Sequence, residues 1–215
     1  MSTVQANVLK LLARVDPSLK TGAEITSTNI ATWASAGSDR FTAQRIVDCY
    51  NEARKVLGNA ISMRYNPAQK VAAMADIMIL KSDLTFASGS ATKPTGYIEA
   101  YSLHKATGQQ IAIIPSHLYA VTAYLDSAYN PIVHEYATTF VAVNGATNVP
   151  DLATYKLRYF GLTDFTIANV SAGTENETFS FIWDTILVEL ASAIADEQGA
   201  AQVNALAMKL ITQGQ

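Results

Sequence analysis

The chain has 215 residues, of which 49% are apolar and only 15% are charged. This apolar fraction is enough for a sizeable core and excludes wholesale disorder, whereas about 25% charged residues is typical of globular proteins. A poorly charged surface favours association, so the composition predicts an assembly subunit that neighbours cover. The net charge of −3 argues against strong non-specific binding to DNA.

The charges are unevenly distributed along the chain. Residues 1–81 hold ten Lys and Arg against six Asp and Glu, and residues 82–215 hold five against twelve. This split either marks two faces that meet different partners or is scatter in a small sample. Cys49 is the only cysteine, which excludes an internal disulfide and favours a cytosolic origin. No apolar run is long enough to predict a membrane span.

Residues 1–81 predict a set of helices. An apolar stripe from Val4 to Val15 indicates the first helix, and Pro17 ends it. A short helix is predicted around Trp33, and a longer one carries Ile46, Tyr50, Ala53 and Leu57 at helical spacing and ends at Gly58. Its exposed face is expected to hold Arg40, Arg45, Asp48, Glu52, Arg54 and Lys55. Pro67 opens a further helix.

Residues 82–175 predict a β-rich insertion. Residues 82–94 are rich in Ser, Thr, Gly and Ala and indicate a loop or a helix-to-strand junction. Short β-branched and aromatic segments follow, separated by turn-forming residues, and this pattern predicts a meander of strands and hairpins. The predicted strands are 97–103, 111–114, 118–125, 132–143, 155–160 and 165–170, and the Ala- and Tyr-rich segment 118–125 is alternatively a helical turn.

Residues 176–215 return to helical periodicity. Thr178 is the predicted N-cap of a helix whose buried face holds Phe179, Ile182, Trp183, Ile186, Leu187, Leu190 and Ile194. The opposite face is expected to hold Asp184, Glu189 and Ser192. A second, Ala-rich helix contains Val203, Leu206 and Leu210. The predicted fold is one α+β domain in which N- and C-terminal segments form a helical bundle around the central β insertion.

The search for chemistry gives no positive signal for an enzyme. The phosphate-binding, dinucleotide-binding, nucleophile-elbow and zinc-protease motifs are all missing from the sequence. We therefore expect no catalytic residue, no cofactor and no metal site. A small hydrolase or zinc enzyme stays open as an alternative, using the residues of the middle region: His104, His117, His134, Asp126, Asp151 and Asp164. A DNA-binding regulator is a weaker alternative, because acidic residues interleave with the arginines of the Arg-rich helix.

Two patterns carry a resemblance to a known family. Arg45, Ile46, Asn51 and Ala53 form one in the early helix. Late in the chain, Phe181, Ile182, Ile186 and Ala191 precede an acidic and Ala-rich stretch at 196–201. With the helix–β–helix order, the chain resembles the head-to-tail adaptor, or connector, proteins of tailed double-stranded DNA phages. The resemblance covers most of the chain.

The resemblance implies a homo-oligomeric ring, typically of twelve copies, between the portal protein and the tail or next neck protein. The helical bundle would build the wall, and the β insertion would offer edges to neighbours. Double-stranded DNA would pass through the lumen without sequence readout, and no membrane would be involved. The expected location is the virion, after synthesis in the host cytoplasm. A tail terminator or capsid decoration protein is the alternative within virion proteins. The candidate interface residues are Arg40, Arg45, Arg54, Gln202, Lys209 and Gln213.

Overall fold

The fold is mixed α+β and divides into two compact units. The computed structural model describes residues 3–15, 42–64, 79–115, 132–142 and 154–213. A helical unit falls within Met1–Met78 and Leu162–Gln215, and a sheet unit spans Ile79–Gly161. The predicted α+β class is confirmed. Residues 162–175, which the sequence pattern grouped with the β-rich part, belong to the helical unit.

Within the described residues, the helical unit has five α-helices. Their bounds are α1 Val4–Val15, α2 Ala43–Arg64, α3 Ile167–Ala172, α4 Asp184–Ala195 and α5 Ala200–Gln213, with a 3-10 turn at Phe181–Trp183 before α4. Helix α2 packs against α4 and α5, and α1 packs against α4. The predicted core positions of α2 are confirmed, because Ile46, Tyr50, Ala53 and Leu57 are at most 1% exposed.

Two predicted helix boundaries are wrong. Helix α2 runs through the buried Gly58 and ends at Arg64. Helix α4 begins at Asp184 rather than after Thr178, because the 3-10 turn comes first. The tighter winding of this turn shifts the helical phase. As a consequence Ile182 is exposed, whereas Asp184 and Ser192, which were expected on the solvent side, are buried.

The predicted strand at 165–170 is also wrong, because this segment contains α3. The Thr166 hydroxyl accepts a hydrogen bond from the backbone N–H of Asn169, and the Asn169 side chain accepts one from the Thr166 backbone. This reciprocal capping stabilises a helix start over an extended conformation. Gly173 ends the helix with φ of 68°, a left-handed conformation that glycine adopts without strain.

The sheet unit contains one seven-stranded sheet. Its strands are β1 Ile79–Thr85, β2 Ser90–Thr92, β3 Tyr97–Lys105, β4 Gln110–Pro115, β5 Ile132–Glu135, β6 Thr139–Ala142 and β7 Thr154–Gly161. The spatial order is β1-β7-β3-β4-β5-β6-β2. The two end strands, β1 and β2, contact each other, so the sheet curls into a near-barrel. The predicted loop at 82–94 is wrong, because it contains most of β1 and all of β2.

The sheet is not the simple meander of hairpins that the turn residues predicted. The β3–β4 and β5–β6 pairs are hairpins between chain neighbours, but β7 lies between β1 and β3. Strands β4 and β5 are parallel. The arrangement therefore differs from a β-hairpin insertion in a helical bundle. Non-local pairing buries a common core, whose largest fully buried aromatic residues are Phe86, Phe140 and Tyr155.

Several predicted elements lie outside the described residues. These are the short helix around Trp33, the helix opened by Pro67, the helix stop at Pro17 and the strand at 118–125.

Candidate functional site

A buried polar chain crosses the interior of the helical unit. We use this name for the five hydrogen-bonded side chains Asp184, Asn7, Tyr50, Glu177 and Arg54. The Asn7 amide donates to Asp184 Oδ1 at 2.8 Å and to the Tyr50 hydroxyl at 3.2 Å. The Tyr50 hydroxyl donates to Glu177 Oε2 at 2.6 Å, and Arg54 Nε donates to Glu177 Oε1 at 3.0 Å. This buried polar chain links α1, α2, the segment that leads into α4 and the start of α4 itself.

Arg54 and Glu177 form an almost completely enclosed ion pair within the buried polar chain. The Arg54 side chain is 1% exposed and that of Glu177 is 0% exposed. The remaining guanidinium nitrogens donate to the Thr163 carbonyl at 2.8 Å and to the Thr178 hydroxyl at 2.9 Å. Phe165 lies beneath the guanidinium, with its ring centroid 4.2 Å from Cζ. A buried charge is tolerated when it is paired and its donors are satisfied, and Arg54 meets both conditions.

The environment of Tyr50 keeps its hydroxyl protonated. Burial raises the pKa of Tyr50 above its usual value, and the neighbouring Glu177 carboxylate raises it further. A neutral Tyr50 donates to Glu177 and accepts from Asn7 at the same time, so its proton fixes the direction of the hydrogen bonds. Tyr50 is therefore held in its neutral form at neutral pH and bridges Asn7 and Glu177.

A second polar cluster lies in the sheet unit and again joins a glutamate to a tyrosine hydroxyl and a cation, here a lysine. Glu135 Oε1 accepts from the Tyr97 hydroxyl at 2.5 Å and from Lys93 Nζ at 2.8 Å. Lys93 Nζ also lies 4.5 Å from the centroid of the Tyr97 ring. Burial raises the pKa of Tyr97, as does its hydrogen bond to Glu135. The Lys93 and Glu135 side chains keep 12% and 23% of their surface exposed, so water reaches this cluster.

A cleft opens beside this cluster where β3 and β4 separate. The two strands pair only at Leu103–Ile111 and His104–Gln110. The pairing of β3 with β7 is irregular at two points between Tyr97 and Ser102, in the same part of β3 that is not paired with β4. The cleft has a volume of about 400 Å³. Its lining is mixed and includes Glu99, Tyr101, Ser102, Gln110 and Glu135.

The predicted interface residues that the structure describes have different surroundings. Arg45 donates from Nη2 to Glu197 at 2.8 Å and to the Ala195 carbonyl at 3.4 Å, which ties the start of α2 to the end of α4. Gln202 and Lys209 are exposed on α5. Arg40 and the side chain of Gln213 lie outside the described residues.

Arg54 is a correction to the sequence prediction, which placed it on the exposed face of α2. Its partners are at least 109 positions away along the chain. No local pattern around Arg54 distinguishes it from the solvated arginines, because only the tertiary fold brings Glu177 to it.

Large apolar side chains on the surface are the feature that the sequence analysis missed. Met63 is 81% exposed, Phe181 70% and Ile182 61%, and Tyr101, Tyr136 and Met208 are between 38% and 47% exposed. Phe181 and Ile182 are neighbours in the 3-10 turn before α4 and form what we name the apolar pair. Single exposed apolar residues are ordinary, whereas adjacent ones form a contiguous apolar patch on the surface.

A groove lies at the other end of α4, beside the first turns of α2. Its volume is about 480 Å³, and it is lined by Thr42, Gln44, Arg45, Asp48, Cys49, Glu52 and Ile194. Cys49 is buried. Burial raises the pKa of its thiol, so the thiolate needed for nucleophilic chemistry is disfavoured.

The residues proposed for an enzyme or metal site are not brought together where the structure describes them. His104 pairs with Gln110 and His134 pairs with Ile114. Gln110 and Ile114 are four residues apart on β4, so the two histidines lie at levels about 13 Å apart along that strand. Asp164 belongs to the helical unit, where it pairs with Lys55 at 2.9 Å. His117, Asp126 and Asp151 lie outside the described residues. Among the residues that the structure covers, no three His, Cys, Asp or Glu side chains converge as metal ligands.

Comparison with known proteins gives no relative. No family model matches the sequence, and no curated protein is detectably similar to it. In the parts of the chain that are described, no helix is long and apolar enough to cross a membrane.

Proposed function

We propose that this chain is a structural protein of a tailed phage virion, an adaptor that forms a homo-oligomeric ring between portal and tail. Double-stranded DNA passes through the lumen of the ring without sequence readout. The single observation that carries the proposal is the exposed apolar surface, above all the apolar pair at 70% and 61% exposure. The resemblance to adaptor proteins gives this association its form.

The exposed apolar residues fit a subunit with several neighbours. Interfaces are enriched in aromatic residues and Met and depleted in Lys, Glu and Asp. The six exposed large apolar residues found in the described part of the chain are all Met, Tyr, Phe or Ile. The whole chain has only 15% charged residues. A monomer in water gains nothing from such a surface, whereas a ring subunit buries it against its neighbours.

The two units can take different roles in such a ring. We propose that the helices from both ends of the chain act as the bundle that builds the wall. Their interior is fixed by the buried polar chain, which sets one arrangement of α1, α2 and α4. The sheet unit, inserted between α2 and α3, is proposed to face the portal, tail or next neck protein.

The native mass of the purified chain tests this proposal. Sedimentation and native mass spectrometry over a wide concentration range are expected to show one closed oligomer well above a dimer. Negative-stain electron microscopy is expected to show a ring whose channel is wide enough for duplex DNA. A chain that stays monomeric at every concentration, or stops at a dimer without a channel, contradicts the proposal. Duplex binding with a salt dependence of several phosphates would indicate a DNA-binding regulator instead.

A further inference from the structure

The cleft between β3 and β4 separates two strand edges. Residues 97–102 of β3 lie beside β7 on one side, and residues 112–115 of β4 pair with β5 on one side. Within the described residues, β3 and β4 pair with each other only at the two positions next to their turn. Both strands line the cleft, so each presents to it an edge that no described strand covers.

The backbone of these two edges suits an extended peptide. The N–H and C=O groups of a strand alternate between its two sides, so about half of those in each stretch are directed toward the cleft. An extended segment placed between β3 and β4 pairs with both edges at once, in the manner of strand addition to an open sheet edge. A helix or a small molecule offers no such row of backbone partners.

The gap has the length of a short strand. Glu99 is four residues from Leu103 on β3, and Pro115 is four residues from Ile111 on β4, where the two strands pair. With a rise of about 3.3 Å per residue, the gap is about 13 Å long. Glu135 on β5 pairs with Pro115, so it lies at the open end of the gap. A segment of about four extended residues therefore reaches from the paired end to Glu135.

Glu135 is held in place as a hydrogen-bond acceptor at the open end. Its Oε1 accepts hydrogen bonds from the Tyr97 hydroxyl and from Lys93 Nζ, which fix the carboxylate. Its Oε2 accepts no hydrogen bond from the described residues. The side chain lines the cleft and is 23% exposed. An ammonium or guanidinium group that enters the cleft therefore finds a positioned oxygen for a charge-assisted hydrogen bond.

The charge around the cleft favours a cation over an anion. Glu99 and Glu135 line it, and its lining in the described part of the chain includes no Lys, Arg or His. Lys93 pairs with Glu135, so two carboxylates against one ammonium leave one negative charge. A Lys or Arg side chain of a bound segment neutralises this charge, whereas Asp or Glu adds to it.

We infer that the cleft binds an extended segment of a partner protein as an added strand between β3 and β4, with a Lys or Arg side chain of that segment on Glu135. The identity of the partner rests on the proposed function, in which the sheet unit faces the portal, tail or next neck protein. The binding itself needs no ring, so it is measured on the purified chain.

Matched peptides test the chemistry of the bound segment. Short labelled peptides of alternating Thr and Val carry Lys, Arg, Gln or Glu at the centre, and fluorescence anisotropy measures their binding. We expect the Lys and Arg peptides to bind at least about tenfold more tightly than the Glu peptide. N-methylation of alternate backbone nitrogens, which removes strand-pairing donors, is expected to weaken binding by at least about tenfold. Equal binding of all four peptides, or no binding of the Lys and Arg peptides at millimolar concentration, would overturn the inference.

Charge reversal at one exposed position gives a matched pair of variants. Ala112 lines the cleft and is exposed, so Ala112→Arg and Ala112→Glu are both expected to retain the fold. We expect Ala112→Arg to weaken binding of the Lys peptide at least about fivefold relative to Ala112→Glu. Asp83→Asn removes a carboxylate of β1 that is not part of the cleft, and it is expected to leave binding unchanged. Equal weakening by the two Ala112 variants would overturn the cationic contact.

Amide hydrogen exchange, followed by nuclear magnetic resonance, tests the added strand. The Lys peptide is expected to slow exchange in both 97–102 of β3 and 112–114 of β4, because it pairs with both edges. Slower exchange in only one strand, or in neither, would overturn this geometry.

The inference and the proposed function fail separately. Native rings that bind no peptide would reject the inference and leave the proposed function standing. A chain that binds the Lys peptide but stays monomeric at every concentration would reject the proposed function and support the inference.

Discussion

The helical unit and the sheet unit each contain a glutamate, a tyrosine and a cation joined by hydrogen bonds, with Arg54 as the cation in one and Lys93 in the other. In each trio, a glutamate accepts a hydrogen bond from a tyrosine hydroxyl and pairs with a cation. Glu177 binds Tyr50 at 2.6 Å and Arg54 at 3.0 Å. Glu135 binds Tyr97 at 2.5 Å and Lys93 at 2.8 Å. The distances are similar, so the difference between the trios lies in their surroundings.

The surroundings decide how much each trio constrains its unit. The Arg54–Glu177 pair is almost completely enclosed, whereas the Lys93–Glu135 pair remains in contact with water. Loss of one partner in the enclosed pair leaves a charge that neither water nor protein compensates. Loss of one partner in the wetter pair lets water take its place. Burial, rather than the length of the hydrogen bonds, therefore sets the energetic importance of each trio.

Glu177→Gln is expected to have the largest effect on stability. The substitution keeps the shape but leaves Arg54 buried without a counter-charge, and an amide N–H₂ then opposes donors such as the Thr178 N–H. We expect the free energy of unfolding to fall by about 3–5 kcal/mol, measured by denaturant unfolding. The double variant Arg54→Met with Glu177→Leu is expected to recover much of this loss, because no unpaired charge remains. Recovery of none of it would mean that the ion pair itself stabilises the fold.

Glu135→Gln is expected to have a smaller effect, of about 1–2 kcal/mol, on the unfolding of the sheet unit. Lys93 gains water as a partner in this variant, since 12% of its side chain is already exposed. Denaturant unfolding, followed by far-ultraviolet circular dichroism, gives the comparison with Glu177→Gln. Equal losses for the two substitutions would break the contrast between the enclosed and the wetter trio.

High pH is expected to destabilise both units through their tyrosines. The pKa values of Tyr50 and Tyr97 are raised above the usual value of about 10 in the folded protein. Their stabilising contribution is complete below pH 10 and falls as the unfolded chain ionises above it, by about 1.4 kcal/mol per pH unit for each tyrosine. Tyr50→Phe and Tyr97→Phe should each flatten the fall of stability between pH 10 and 11. An unchanged slope in both variants would contradict the assigned direction of the shifts.

Lys156→Ala is expected to have the smallest effect, within about 0.5 kcal/mol. Lys156 pairs with Asp83 at 2.7 Å, but more than half of each side chain is exposed. Its N–O distance is shorter than those of the Arg54–Glu177 and Lys93–Glu135 pairs, so it separates the influence of geometry from that of burial. A loss above about 1 kcal/mol in denaturant unfolding would show that distance matters more than burial here.

Local patterns predicted local structure well where one element decided the outcome. The apolar spacing of Ile46, Tyr50, Ala53 and Leu57 places them correctly in the core. A turn also separates the predicted strands at 97–103 and 111–114, with Gly108 at φ of 90° where the β3–β4 hairpin reverses. The strand prediction at 165–170 failed because a capping box around Thr166 outweighed the β-branched composition.

The candidate surfaces were less predictable from the sequence. Ile182 follows the apolar spacing of its segment, yet the 3-10 turn before Asp184 rotates it into water. Arg54 has the spacing of an exposed charge, yet residues 109 to 124 positions away surround it. Helical periodicity predicts neither outcome, because it contains neither the change of winding before α4 nor the distant partners of Arg54.

The sequence by itself determined the α+β class, the absence of an internal disulfide, the apolar face of α2 and the low charge that first indicated association. Hydrophobic spacing and composition are sufficient for these, because they act within a few residues or over the whole chain. Only the tertiary structure decided the strand order, the burial of Arg54 and the exposure of the apolar pair. Each of these depends on how segments pack together in the folded chain, and spacing along the sequence does not contain that information.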